Sequence, residues 1–204
     1  MKLSGFYFIT DSKLSGNNDV DSVRDALDGG ATLIQYREKD SSTREMIEVA
    51  GKLQGITKGR ALLIINDRVD VALAVDADGV HLGQDDMNLQ TARKILGKGK
   101  IIGITVHDVE EAVEAESQGA DYVGASPIFA TKTKKDAGIP KGLKLIGEIK
   151  DSVSIPVAAI GGINERNIDS VIEAGADIIC AVSATAGAKD IRRAVEYFVR
   201  KFRK

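Results

Sequence analysis

The chain has 204 residues, of which 43% are hydrophobic, which is enough to bury one full core. A formal net charge of −2 excludes a general attraction to nucleic acid or to membrane surfaces, and no apolar run is long enough to cross a bilayer. The single cysteine, Cys180, excludes an internal disulfide framework, and the opening residues MKLSGFYFITD lack the apolar stretch and cleavage site of a signal peptide, so a soluble, cytoplasmic protein is expected. Strands and helices then alternate throughout. The first strand is read over 5–10 and the first helix over 19–28, stopped by Gly29-Gly30. Strand two covers 32–36, and Ser42-Thr43-Arg44-Glu45 is a capping box opening a long helix that stops near Gly59. Strands three and four, 62–65 and 79–82, are short and β-branched, as buried parallel strands are, with a crossover helix at 68–75 between them. Helix four spans 88–96 with Asn88 as its N-cap, followed by strand five at 100–105, helix five at 108–118 and strand six at 121–125. A long polar loop, 126–140, leads to helix six at 143–150. Strand seven at 156–160, helix seven at 164–174 with Asn164 as N-cap, strand eight at 177–182 and a last helix at 189–202 complete the chain.

Eight βα units result. The joint between helix and strand recurs as GGATLIQ, VDADGVHLG, QGADYVG and AGADIIC, with glycine ending the helix in most copies. Repetition at this spacing predicts a single-domain (β/α)8 TIM barrel over residues 1–204, with an open doubly wound sheet as the alternative. No linker or low-complexity segment divides the chain.

Polar groups collect where strands end, which is where such folds keep their sites. Strand three ends in Asn66-Asp67 and strand four runs into Gly83-Gln84-Asp85-Asp86. Asp67 and Asp86 are placed to face each other, and two facing carboxylates repel unless a cation lies between them. Oxygen ligands of this kind suit Mg2+. The competing reading makes Asp67 a helix cap and Asp86 a turn residue. Strand two ends Gln35-Tyr36-Arg37-Glu38-Lys39, and alternation puts Gln35, Arg37 and Lys39 on one face, inward at the mouth of a closed barrel, with Tyr36 and Ile34 on the other. Unpaired cations there call for an anion, although a bond to a neighbouring carboxylate would also satisfy them. The loop after strand six carries Thr131-Lys132-Thr133-Lys134-Lys135, suited to a phosphorylated ligand or simply a solvated charge run. Gly161-Gly162-Ile163-Asn164 and Ser183-Ala184 follow the last two strands, where barrels often bind phosphate through backbone N–H groups at helix N-termini. Arg37, Lys39, Lys134 and one Mg2+ sum to about +5 against about −2 for the two aspartates, a remainder matched to a diphosphate. His81 and His107 lack metal-ligand spacing. His81 reads as packed or hydrogen-bonded, His107 as open to a supporting role, and Cys180 as core.

These motifs together identify a resemblance. QYREK at 35–39, INDR at 65–68, ADGVHLGQDD at 77–86, Thr105, YVGASPIFATKTK at 122–134, AIGGI at 159–163 and Val182-Ser183 resemble the thiamine-phosphate synthases, also called thiamine-phosphate pyrophosphorylases. The resemblance runs over nearly the whole chain. It implies a (β/α)8 barrel and a Mg2+-dependent transferase. That enzyme joins 4-amino-2-methyl-5-hydroxymethylpyrimidine pyrophosphate to a thiazole phosphate, releasing pyrophosphate, by a dissociative route. It implies that Gln35, Tyr36, Arg37, Glu38, Lys39 and Asn66 hold the pyrimidine pyrophosphate, with Thr105 and Lys134 also on the pyrophosphate. Asp67 and Asp86 would bind Mg2+. Thr131, Lys132, Thr133, Gly162, Val182 and Ser183 would contact the thiazole phosphate. Arg37, Lys39, Lys134 and Thr105 would carry the chemistry by stabilising the departing anion.

Three positions depart from the family pattern: Tyr36 for leucine, Thr105 for serine and Ser126 for glycine. None removes a charged group. Three other readings compete with the synthase: a thiazole tautomerase, a non-catalytic thiamine-phosphate or thiazole-phosphate binding relative, and a sugar-phosphate barrel isomerase, which would need a rim base not shared with the metal. The presence of Lys39, Asp67, Asp86 and Lys134 argues against the tautomerase, and the absence of an output domain against a sensor. Partners are expected to be the small-molecule substrates; the oligomeric state, a homo-oligomer included, is left open.

Overall fold

In the computed structural model, which describes residues 3–133 and 138–202, the strands close on themselves. They are β1 (Gly5–Ile9), β2 (Leu33–Tyr36), β3 (Leu62–Asn66), β4 (Gly79–Leu82), β5 (Ile101–Val106), β6 (Tyr122–Ala125), β7 (Val157–Ile160) and β8 (Ile178–Cys180). All neighbours are parallel, and β8 pairs with β1, so the open-sheet alternative does not hold. The intervening helices are α1 (Asp19–Asp28), α2 (Thr43–Thr57), α3 (Val69–Ala74), α4 (Leu89–Leu96), α5 (Val109–Ser117), α6 (Lys144–Ser152) and α7 (Ile168–Glu173); α8 (Val182–Thr185) and α9 (Ile191–Phe202) follow β8.

Period-two alternation divides the apolar residues into two cores. Tyr7, Ile9, Leu33, Ile64, Tyr122, Ala158, Ile178 and Cys180 fill the barrel interior. The intervening strand residues, Phe8, Ile34, Tyr36, Leu63, Ile65 and Val80 among them, pack outward against the helices. The capping box forms as expected: the Ser42 amide donates to the Glu45 carboxylate at 2.8 Å and the Glu45 amide to Ser42 Oγ at 3.3 Å. Asn88 Oδ1 accepts the Thr91 amide at 2.9 Å and starts α4.

The repeated joint has a structural cause. Asp78, Asp121 and Asp177 stand just before β4, β6 and β8. Their carboxylates accept amides at the amino ends of β3, β5 and β7: Leu63 N at 2.7 Å, Ile102 N at 2.8 Å and Val157 N at 2.9 Å. Each aspartate thus stitches the amino end of its strand to the strand before it. That end of the barrel is closed, and the carboxyl end is left to the loops.

Candidate active site

The carboxyl ends of the strands surround a cavity of ≈ 320 Å3. Beyond β2 the inward alternation continues through Arg37 and Lys39, so Gln35, Arg37 and Lys39 all line the cavity. Arg37 is held from behind by the end of β1. Its amide donates to Thr10 Oγ1 at 3.0 Å, and its guanidinium meets Asp11 Oδ2 at 3.4 Å. Tyr36 and Glu38 alternate the other way. Tyr36 is buried in the outer core. Glu38 lines a neighbouring groove with Asp11, Ser12, Lys13 and Asp40.

Asn66 and Asp67 end β3 on the cavity wall, with Asp86 beside them. Asp67 takes a left-handed backbone, φ 61°, and its amide donates to the His81 carbonyl at 2.9 Å. Asp and Asn tolerate that region better than other L residues. α3 begins at Val69 with Arg68 as N-cap and no side-chain cap bond, so the helix-cap reading of Asp67 fails. Burial pushes the Asp67 carboxyl above the ordinary aspartate range; the Lys39 ammonium bonded to it works against that, and the adjacent Asp86 carboxylate adds to it. Asp86 Oδ2 also accepts the Gly83 amide at 2.7 Å, so it shapes its own turn as well as facing Asp67.

A polar floor lies under these groups. Gln35 Nε2 donates to Tyr7 Oη at 2.9 Å, and Tyr7 Oη lies 3.1 Å from Tyr122 Oη. His81 Nδ1 lies 2.9 Å from Tyr122 Oη, and its Nε2 lies 2.9 Å from Thr105 Oγ1. Burial raises both tyrosines well above the usual phenol range, so they act as neutral donors and acceptors. The Tyr122 ring occupies the space beside Gly103, where an added Cβ would come within 2.1 Å of Tyr122 Cζ. Tyr7 and Tyr122 were missed as site residues. Alternation carried down β1 and β6 would have found them, since they share the inward face with Ile9 and Gly124. Gln84 was missed too; its Nε2 donates to the Thr105 carbonyl at 2.7 Å and ties the β4 loop to β5. Cys180 is buried in the barrel interior, in the same packed cluster as Tyr7, Tyr122 and Ala158. His107 bonds Glu111 at 3.0 Å through Nδ1, away from the cavity lining.

The far wall is built by the loops after β6, β7 and β8. Thr131, Thr133, Gly162, Val182 and Ser183 line the cavity, whereas Lys132 lines the neighbouring groove. Lys134 and Lys135 lie outside the described residues. The Phe129 amide donates to the Gly161 carbonyl at 2.9 Å, which lays the β6 loop directly on the diglycine turn. Only glycine fits there: Gly162 has φ 65°, and a Cβ on it would stand 2.5 Å from the Ala130 carbonyl oxygen. The helix expected from 164 starts at Ile168, so Gly162 is not at a helix N-terminus. Asn164 is not the cap. It and Asn167 each donate a side-chain N–H to the Gly162 carbonyl at 3.0 Å and hold a turn before the helix. β8 ends at Cys180 rather than at 182, and Val182 and Ser183 open the short α8.

The chain that builds this cavity is similar to known proteins over nearly its whole length. Residues 6–185 match the family model described as thiamine monophosphate synthase. The chain is 54% identical over 204 residues to the thiamine-phosphate synthase of Methanosarcina barkeri, covering 100% of this chain and 93% of that protein. It is 51% identical over 191 residues to the thiamine-phosphate synthase of Pyrococcus furiosus, covering 93% and 90%. The solved structure of thiamine phosphate pyrophosphorylase from Pyrococcus furiosus superposes with a TM-score of 0.91 at 48% identity, covering 98% of this chain and 95% of that one. The cavity therefore sits in a chain that belongs to the thiamine monophosphate synthase family.

Proposed function

We propose that this chain is a thiamine-phosphate synthase, a transferase that joins a pyrimidinylmethyl diphosphate to a thiazole phosphate. The observation that carries the site assignment is the gathering of Arg37, Lys39, Asp67 and Asp86 around one cavity at adjacent strand ends. Membership of the family makes the alternatives, a thiazole tautomerase or a non-catalytic binding relative, the weaker readings.

The reaction balances without a general base. The bond from the pyrimidine methylene carbon to oxygen breaks with its electron pair leaving on pyrophosphate. The thiazole nitrogen then supplies the pair for the new C–N bond. What the protein must do is stabilise a departing anion and hold two rings in register. Arg37 and Lys39 reach the cavity from one wall as the cations for that anion, and the Thr105 hydroxyl lines the same cavity from β5; Lys134 is assigned the same task from the sequence. Gln35 and Asn66 present amide groups to the pyrimidine end, and Tyr36 and Glu38 belong to the same segment without lining the cavity. Thr131, Thr133 and the backbone of Gly162, Val182 and Ser183 form the opposite wall for the thiazole phosphate, with Lys132 at its outer edge.

Asp67 and Asp86 fit Mg2+. The Asp67 carboxyl is pushed up partly by Asp86, a repulsion that a cation between them relieves. Among the described residues no third Asp, Glu, His or Cys joins them as a ligand cluster. Water and phosphate oxygens would complete the shell, as Mg2+ prefers. Bound there, Mg2+ would neutralise charge on the leaving diphosphate. No described helix is long and apolar enough to cross a membrane, and the free Cys180 suits the reducing conditions of the cytoplasm.

The test is to incubate both substrates with and without Mg2+ and follow pyrophosphate and thiamine phosphate. Equimolar, Mg2+-dependent formation of both is expected. Absence of Mg2+-dependent product at micromolar enzyme overturns the reading.

A further inference from the structure

Glu38 stands between two residues that line the cavity, yet its carboxylate points away from it. Oε1 accepts three successive backbone amides, from Lys39 at 2.7 Å, Asp40 at 2.7 Å and Ser41 at 3.3 Å. Oε2 accepts the Ser12 hydroxyl at 3.2 Å. Ser12 belongs to the loop after β1, the same segment whose Thr10 and Asp11 hold Arg37. The three amides are those of the joint between β2 and α2, whose far end is pinned by the Ser42–Glu45 capping box. One carboxylate thus fixes the path of the backbone through Lys39 and ties it to the neighbouring loop.

That arrangement has a consequence for Lys39. A lysine is a point charge on a flexible stem, and its aim depends on how firmly its backbone is held. Electrostatic stabilisation works only when the charge is in place before the anion leaves. A carboxylate aimed into the cavity would repel the same anion; turned outward and bonded to amides, it organises the cation without opposing it. Resting on the synthase reading above, we infer that Glu38 is a positioning residue, acting on the departing diphosphate through Lys39 and not by touching substrate.

A double-mutant cycle tests this. Steady-state kinetics with both substrates at saturating Mg2+ are measured for the wild type, Glu38→Ala, Glu38→Gln, Lys39→Ala and the Glu38→Ala/Lys39→Ala pair. Binding of inorganic pyrophosphate with Mg2+ is followed by titration calorimetry. Glu38→Ala is expected to lower kcat by about 30-fold, the order of loss seen when a catalytic charge is misplaced. It should weaken pyrophosphate binding and leave KM for the thiazole phosphate within about twofold. Glu38→Gln keeps an oxygen that accepts the same amides and should restore kcat to within about threefold of wild type. In the Lys39→Ala background, Glu38→Ala should add less than about twofold, because the lysine it aims is gone.

Glutamine failing to rescue, or losses that multiply in the pair, would overturn the inference, as would an Ala variant indistinguishable from wild type. Should Glu38→Ala not fold, Ser12→Ala takes its place, with about threefold loss in the wild-type background and none beside Lys39→Ala. An inactive wild type would instead defeat the synthase reading, and the pyrophosphate titration would still report whether Glu38 and Lys39 act as a unit.

Discussion

Asp67 combines two features that work against stability. Its backbone lies at φ 61°, and its carboxyl is buried beside Asp86 and raised for that reason, with the Lys39 ammonium only partly compensating. Residues that are strained and electrostatically opposed concentrate where function requires them. The two features can be separated by substitution. Asn adopts left-handed backbone as readily as Asp and has the same shape, so Asp67→Asn removes only the charge. Turnover should fall by about 100-fold or more, the scale of losing one element of transition-state charge stabilisation. Stability in urea at pH 7 without Mg2+ should stay within about 0.5 kcal/mol of wild type, since relief from Asp86 offsets the lost Lys39 pair. Asp67→Ala adds backbone strain and should lose a further ~1 kcal/mol. If Asp67→Asn unfolds as much as it inactivates, the residue is structural and the metal assignment fails.

At the scale of elements, the aspartates before β4, β6 and β8 carry the repeat. Asp177 accepts Val157 N at 2.9 Å and Lys150 Nζ at 2.7 Å, at the amino end of the barrel and far from the cavity. Asp177→Ala leaves the β7 amide and a half-buried lysine without that partner, which should cost about 1–3 kcal/mol of unfolding free energy. The variant should keep kcat within about twofold at a temperature where it is folded; a large loss of kcat with native stability would contradict the separation of the two barrel ends. The same repeat shows what the sequence makes legible. Glycine and aspartate before an apolar run mark a strand start, and alternation on QYREK suffices to send Gln35, Arg37 and Lys39 inward. The amide that Asp177 accepts depends on strand register, which one chain's pattern does not carry. Tyr7 and Tyr122 were hidden for a related reason: in a short apolar strand a tyrosine reads as core, and only its partner across the barrel reveals the hydroxyl's use. Helix seven is shorter than its sequence pattern suggests, because Asn164, which resembles a cap, joins Asn167 in holding a turn that competes with helix.

For the whole molecule, acid groups set opposing slopes of stability with pH. The Ser42 hydroxyl and amide hold Glu45 below its usual range, the Arg68 guanidinium does so for Asp70, and the Ser154 hydroxyl and amide do so for Glu116. Such groups contribute stability that is complete above the unfolded carboxylate pKa and is lost as pH falls through the lower folded value, so their window lies below about pH 4. Asp19 has the opposite sign. Burial first, then the charges of Glu38 and Asp11, push it up to about 6, against a weaker pull from the Thr10 hydroxyl. Its Oδ1 is buried without a hydrogen-bond partner among the described residues. The folded protein therefore holds this proton more tightly than the unfolded chain, whose aspartates titrate near 3.9. Asp19 costs nothing below about pH 4, and its penalty is complete once pH passes about 6. A shift of this size corresponds to about 3 kcal/mol, and the favourable position in the first turn of α1 reduces it to ~1–2 kcal/mol. Stability should thus climb from low pH to a maximum near pH 4–5 and decline toward neutrality, with Asp67 adding to the decline in metal-free buffer. Asp19→Asn isolates the first contribution. It should match wild type in urea at pH 4 and exceed it by ~1–2 kcal/mol at pH 7. A variant less stable than wild type at pH 7 would show that the carboxylate is stabilised where it stands. The predicted penalty has a source in the layout of the site: cations at the mouth need carboxylates behind them to fix their aim. Asp11 and Glu38 serve that purpose, and Asp19, packed behind both, bears the repulsion.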